Sequence, residues 1–256
     1  MRVTVLGCSG TFPGPDSPCS GYFLESAGYR LVVDLGAGAS GPLQRHIDLL
    51  DIDAVYVSHL HADHCIDLVA LSYARRYHPR GVPPRLPVYG PPGTARRVRQ
   101  AFESPPVDGL LDGYDFHEVS AGTLTLGPFS VRTAVMTHPV ECHGLRVEAD
   151  GRTLAYSGDT GSCDALVELA RDVDLFLCEA SWPSTPEPPA GMHLTGREAG
   201  EHARRAGARR LVLTHVLPFH DPAVLPAEAR QTYGGPVELA ACGVVYELDC
   251  AAGPGH

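Results

Sequence analysis

The sequence has no lysine, so all 20 of its fixed positive side chains are arginines, set against 30 acidic residues for a formal net charge of −10. A chain without lysine cannot form a Schiff base through a side-chain amine, nor supply the lysine of a nucleotide phosphate loop. The acidic balance disfavours an extended nucleic-acid surface, which requires clustered positive charge. No apolar run approaches the roughly 20 residues of a membrane-spanning helix, so no membrane partner is expected. The first apolar stretch breaks at Gly7, too soon for the ~7–15-residue apolar region of a secretory signal. A cytoplasmic location follows as the expectation. No Cys-x-x-Cys pair occurs among the cysteines at 8, 19, 65, 142, 163, 178, 242 and 250. Without an export signal, that spacing reads as small buried hydrophobes in a reducing compartment. Cys65 directly follows a cluster of metal-ligand residue types and is expected to line a pocket, not to bind metal.

What is present is a rhythm of short β-branched runs, at 2–6, 30–34, 54–58, 86–89, 129–137, 145–148, 153–157, 174–178, 210–214 and 244–248. These predict strands. Between them, 66–77, 94–101, 162–170, 196–206 and 223–232 carry apolar residues three and four apart, which predicts helices and α/β layers. Asp150-Gly151 between two alternating runs signals a two-residue hairpin, so the sheet is mixed. The halves 1–120 and 121–256 each begin with strands and then add helices, without a residue-level repeat. This layout fits a helix–sheet–sheet–helix sandwich in a single domain, 1–256. Proline-rich 79–92 and 183–189 are connections shaping loops, too short for domain linkers. The glycine-containing loop 7–14 could border a ligand site, but without a fuller pattern it reads as a plain turn.

The chemistry concentrates in Ser58-His59-Leu60-His61-Ala62-Asp63-His64, between an apolar strand and a helical pattern. Histidines two apart in an extended segment point to one side, while Asp63 and His64 turn onto the helix start and can face a second ion. Further ligands are expected at other strand ends, because a rigid sheet can hold distant residues within metal-bond distance. His138 after 131–137, Asp159 after 153–157 and His215 after 210–214 answer that demand. Together they make enough ligands for two ions sharing a carboxylate.

In this order and spacing, the chain resembles the metallo-β-lactamase superfamily over nearly its whole length. The resemblance implies an α/β fold, the αββα sandwich of two mixed sheets with helices on the outer faces. It further implies that His59, His61 and His138 hold one divalent ion, that Asp63, His64 and His215 hold the other, and that Asp159 bridges them. Imidazole with carboxylate suits zinc, manganese and iron alike, and Zn2+ is the default expectation. Asp34, in Asp34-Leu35-Gly36-Ala37-Gly38, matches the family's early aspartate, which orients the site without being a ligand.

Glu179-Ala180-Ser181 followed by Met192-His193-Leu194-Thr195 resembles the ribonuclease Z branch of phosphodiesterases. By that resemblance His193 lies near the scissile phosphate and Glu179 orients it. The alternative is that His193 caps the helix beginning near Thr195, a role Thr195 could itself fill. Two departures disfavour ribonuclease Z itself. Only 20 residues separate His138 from Asp159, too few for its long tRNA-grasping arm, and Val216-Leu217-Pro218-Phe219-His220 lacks the arginine–tyrosine pair expected after His215. The segments 7–10, 59–65, 156–161, 177–182 and 193–200 are most similar to actinobacterial cyclic-nucleotide phosphodiesterases. The implied function is hydrolysis of 3′,5′-cyclic nucleotides such as cyclic AMP to 5′-monophosphates, with Asp63, His193 and Glu179 as catalytic residues, in a homodimer. A ribonuclease Z-type RNA endonuclease, or hydrolysis of a small ester or thioester, remains an alternative because the metal core is shared.

Overall fold

Successive side chains of a strand point to opposite faces, and here both faces are apolar, so each sheet must be covered twice. The computed structural model describes residues 1–102, 109–186 and 188–248. Cys250, and Glu187 of the proline-rich 183–189 connection, lie outside the described residues.

Strands β1 (Arg2–Gly7), β2 (Gly21–Ser26), β3 (Tyr29–Leu35), β4 (Ala54–Tyr56), β5 (Leu86–Gly90) and β6 (Tyr114–Glu118) form one sheet, completed by β14 (Val245–Glu247) at the edge beside β1. The second sheet contains β7 (Gly122–Leu126), β8 (Phe129–Val135), β9 (His143–Ala149), β10 (Arg152–Tyr156), β11 (Leu175–Glu179), β12 (Leu211–Thr214) and β13 (Val237–Leu239), in sequential order. Both sheets are mixed. In the first, the pairs from β14 through β3 are antiparallel and those from β3 through β6 parallel. In the second, β7 through β10 are antiparallel and β10 through β13 parallel. The two halves therefore share a topology that the sequence shows only as a common order of strands before helices.

Three cores separate the layers. Val3, Tyr22, Leu31 and Tyr56 of the first sheet meet Phe129, Val147, Leu154 and Leu177 of the second in one cluster. On the outer face of the first sheet, Phe23, Val32 and Val55 pack with Leu43 of α1 (Ser40–Leu43), Leu68 and Leu71 of α3 (Asp67–Arg76) and Val98 of α4 (Thr94–Ala101). On the outer face of the second, Ala155, Phe176 and Leu213 pack with Leu166 of α5 (Asp164–Leu169), Ala199 and Ala203 of α6 (Gly196–Ala206) and Leu225 of α7 (Val224–Ala229). This is the αββα sandwich.

The β9–β10 hairpin turns at Asp150-Gly151, with φ of 53° and 68°, as its sequence predicts. Four strands escape the sequence pattern: β2, β6, β7 and β13. β2 is buried on both faces and so does not alternate. β6, β7 and β13 are sheet-edge strands with few apolar positions, β13 being only 3 residues long. The expected helix 66–77 begins one residue later as α3, and a separate short helix, α2 (Ala62–Cys65), precedes it. The expected strand 129–137 ends at Val135, one further ladder bond, from Met136 N to the Cys142 carbonyl, leading into the turn that carries His138. Among the described residues, no helix is long and apolar enough to cross a membrane.

Candidate metal centre

The candidate ligands stand just past the ends of strands, or on the short helix that follows one. His59 and His61 follow β4, Asp63 and His64 lie on α2, and His138, Asp159 and His215 follow β8, β10 and β12. The structure brings them into two groups whose potential ligand atoms all lie within 4.8 Å of one another: His59, His61, His138 and Asp159, and Asp63, His64, Asp159 and His215. Asp159 belongs to both. Its Oδ1 is 3.2 Å from His64 Nε2, and its Oδ2 is 3.5 Å from His59 Nε2 and 3.4 Å from His215 Nε2.

The hydrogen bonds on the far side of each imidazole decide which nitrogen faces inward. His138 Nδ1 donates to the Met192 carbonyl at 3.0 Å. His64 Nδ1 meets Asp34 Oδ2 at 2.7 Å, and His215 Nδ1 meets Ser181 Oγ at 2.8 Å. His59 Nδ1 lies 3.1 Å from Ser58 Oγ. The Nε2 lone pairs of these rings are then directed into the cluster. There, His61 Nδ1 lies 3.1 Å from His59 Nε2 and 3.2 Å from His138 Nε2. His64 Nε2 and Asp159 Oδ1 are buried 3.2 Å from each other, yet neither makes an aligned hydrogen bond. A buried polar atom left unpaired costs roughly 1–3 kcal/mol. Inward lone pairs and carboxylate oxygens with orphaned acceptors fit divalent cations and the imidazole–carboxylate chemistry they favour.

The local electrostatics divide the ligands: burial opposes a charge on His64, but Asp159 and Asp34 outweigh it and push its pKa well up, so a cation bound there would displace a proton from that ring. Burial pushes the pKa of His59 and His61 down, which keeps both imidazoles neutral and able to ligate. Asp159 and Asp63 are held well below the usual carboxylate range, since the surrounding histidines outweigh the opposing effect of burial. Both are therefore anionic at neutral pH.

Asp34 acts through its neighbours. Its φ of 56° interrupts β3, and the register with β2 skips one residue there, pairing Gly21 with Leu35 and Tyr22 with Val33. Such a bulge re-aims side chains beside functional sites. The buried Asp34 carboxylate accepts bonds from Ser58 N (2.7 Å), Ser58 Oγ (2.8 Å) and Tyr156 OH (2.7 Å), and holds His64. Two close approaches demand glycine. A Cβ on Gly36 would stand 1.9 Å from the Asp63 carbonyl oxygen, and one on Gly10 would stand 2.5 Å from that of His215.

Beside the cluster, His193 Nδ1 is 3.0 Å from Glu179 Oε1. Burial works against the charged ring, but Glu179 outweighs it and pushes the His193 pKa up to about 9. Glu179, fully buried at the end of β11, also accepts from Ser181 Oγ and Leu194 N. His193 does not cap α6: the Thr195 side chain accepts from Glu198 N while Glu198 reaches back, a complete capping box. Cys65 is buried, donates to the His61 carbonyl at 3.2 Å, and has its thiol pushed up to about 11 by burial. It packs beneath the site as a neutral thiol, like the other described cysteines, which are all free.

Several contributing residues go unmarked in the sequence. Ser181 links Glu179 to His215, Tyr156 reaches Asp34 from the opposite sheet, and Thr11 N donates to Asp63 Oδ2 at 2.9 Å. The loop 7–14, expected to be a plain turn, therefore borders the site. Only Ser58 carried a usable signal, as a small polar residue between an apolar strand and the first histidine.

A family model described as a beta-lactamase superfamily domain matches residues 29–216. An uncharacterized protein of Mycobacterium tuberculosis is 46% identical over 254 residues, covering 97% of this chain and 92% of its own length. The probable metallo-hydrolase YhfI of Bacillus subtilis is 31% identical over 250 residues, covering 96% of this chain and 100% of its own. The crystal structure of YhfI matches with a TM-score of 0.85 at 30% identity, over 96% of this chain and 99% of that one. A ribonuclease Z of Myxococcus xanthus is 29% identical over 303 residues, covering 97% of this chain and 98% of its own.

Proposed function

From the premise that this chain belongs to the beta-lactamase superfamily of metal-dependent hydrolases, we propose that it is a binuclear phosphodiesterase of small substrates. The proposed reaction opens 3′,5′-cyclic nucleotides such as cyclic AMP to 5′-monophosphates. One observation carries the reading: His193, outside the two groups that share Asp159 but close enough to Glu179 and His215 to form a third such group with them, is paired with the buried Glu179 at 3.0 Å and lies beside Asp159.

In this reading His59, His61 and His138 hold one ion, Asp63, His64 and His215 the other, and Asp159 both, with Zn2+ as the default metal. Bound divalent ions supply Lewis-acid activation of water and of the phosphoryl oxygens. The residues do the rest. Asp63, anionic and fixed by Thr11 N, orients the attacking water. With Nδ1 committed to Glu179, His193 presents Nε2 to the substrate and delivers a proton to the leaving ribose oxygen, a poor leaving group otherwise. Glu179 fixes the tautomer, and Asp34 steadies His64.

A small substrate is favoured because β9 and β10 occupy most of the interval between His138 and Asp159, leaving no chain there for a tRNA-grasping arm. The net charge of −10 points the same way. We further assign the whole chain, 1–256, to one domain working as a cytoplasmic homodimer. Purified, metal-replete protein should convert cyclic AMP to 5′-AMP and cleave a precursor tRNA poorly. Efficient, correctly placed tRNA cleavage with cyclic nucleotides inert would favour the ribonuclease Z reading that the Myxococcus relative raises. Inertness toward both, with turnover of a thioester, would remove phosphodiester hydrolysis altogether.

A further inference from the structure

Two phenylalanines stand in water beside the metal-ligand cluster, Phe12 at 40% exposure and Phe219 at 65%, although each carries a large apolar ring. Their rings stack on each other, with centroids 5.8 Å apart and planes 29° from parallel. Both belong to loops tied directly to the candidate site. Phe12 follows Thr11, whose backbone N–H holds Asp63, and Phe219 lies four residues past His215. The loops are joined by backbone bonds from Gly10 N to the Val216 carbonyl (3.0 Å) and from Val216 N to the Cys8 carbonyl (3.1 Å). The pair is thus presented on a fixed base.

We propose that Phe12 and Phe219 form a stacking platform for the aromatic base of the substrate, which makes the substrate class nucleotides and not simple phosphodiesters. This rests on the phosphodiesterase reading above. A base–aromatic stack contributes roughly 1–3 kcal/mol and tolerates any base, because every base has a π-face. The centroid spacing leaves no room for a third ring between the two, so the base lies on the solvent side of the pair, over the more exposed Phe219. His220 packs edge-on against Phe219 at 4.6 Å and is itself packed against Trp182 at 5.4 Å.

That contact chain supplies a binding readout independent of turnover, since Trp182 is the single tryptophan of the sequence. Wild type, Phe12→Ala, Phe219→Ala and Phe219→Leu are titrated with 5′-AMP while Trp182 emission is followed. Each is also assayed on cyclic AMP and on a base-free cyclic ribose phosphate. Each alanine variant should weaken 5′-AMP binding about 5- to 150-fold, the range a lost stack implies. The ratio of kcat/KM on cyclic AMP to that on the base-free substrate should fall by a similar factor. Phe219→Leu, which keeps apolar bulk but has no π-face, should lose nearly as much as Phe219→Ala. Unchanged 5′-AMP affinity in the alanine variants, or equal losses on both substrates, would overturn the platform. Failure of the underlying reading looks different: wild type would not turn over cyclic AMP, and the platform would then stand or fall on 5′-AMP binding alone.

Discussion

Like His64, whose Nδ1 meets Asp34, His193 has its Nδ1 on a buried carboxylate, Glu179, but it lies outside the two groups that share Asp159, and its ring stacks against that of His215 at 5.2 Å. A proton-delivering role makes a specific demand on mutants. His193→Ala should lower kcat on cyclic AMP by roughly 10²–10⁴-fold, the usual range for losing a general acid, with metal content unchanged. Bis-p-nitrophenyl phosphate releases a nitrophenolate that needs little protonation, so the same variant should lose much less activity on it. Equal losses would reassign His193 to phosphate binding, and loss of metal would make it a ligand. Asp159→Ala tests the shared carboxylate: elemental analysis should show both metals depleted, whereas His138→Ala should chiefly affect one. At this scale the sequence was legible wherever chemistry-bearing residues sat close together or at strand ends. It placed Ser181 and Tyr156 in family-like segments but gave neither a role, because their value lies in hydrogen bonds spanning 34 and 122 residues of chain.

Strand ends set the precision of the site, and the contacts that hold them are themselves testable. The Asp174 carboxylate, just before β11, accepts from Thr153 N (2.9 Å) and Thr153 Oγ1 (3.1 Å) of β10, and pairs with Arg152 and Arg209. Burial pushes its pKa up, but the Thr153 bonds and the two guanidiniums outweigh that and hold it below the ordinary carboxylate value. A depressed folded-state pKa means stabilisation that is complete above the unfolded value of about 3.9 and lost as pH falls through the folded one. Asp174→Asn should therefore be less stable at pH 7, by roughly 1–2 kcal/mol, and denaturant titrations should show the gap to wild type closing as pH falls below about 4. A gap that persisted at low pH would mean that geometry, not charge, does the holding. Helix α6 offers a second test, since Thr195→Ala removes the capping box two residues after His193 and should cost about 1 kcal/mol. The hairpin at Asp150-Gly151 and the capped start of α6 could be read from local chemistry. The Asp34 bulge could not, because a left-handed aspartate in an apolar strand is imposed by partners just past β4, on α2 and on β10.

Across the whole molecule, the candidate centre joins the two topologically matched halves. His59, His61, Asp63 and His64 come from the half built on the first sheet, and His138, Asp159 and His215 from the half built on the second. An ion held from both sides would link the halves directly. Anything that binds only the folded state stabilises it by RT ln(1 + [L]/Kd), about 2.7 kcal/mol at a hundredfold excess over Kd. For a chain of this length each kcal/mol shifts Tm by roughly 2–4 °C, so filling one site should raise Tm by about 5–10 °C. Calorimetric scans of metal-replete and chelated protein, with metal content measured on both, check this. Zinc added back should restore the higher Tm in wild type. In Asp159→Ala the response should be lost, because the carboxylate common to both groups is gone. A chelated wild type proven free of metal yet melting at the replete temperature would show that the cluster does not hold ions tightly enough to join the halves, and would count against the binuclear assignment itself.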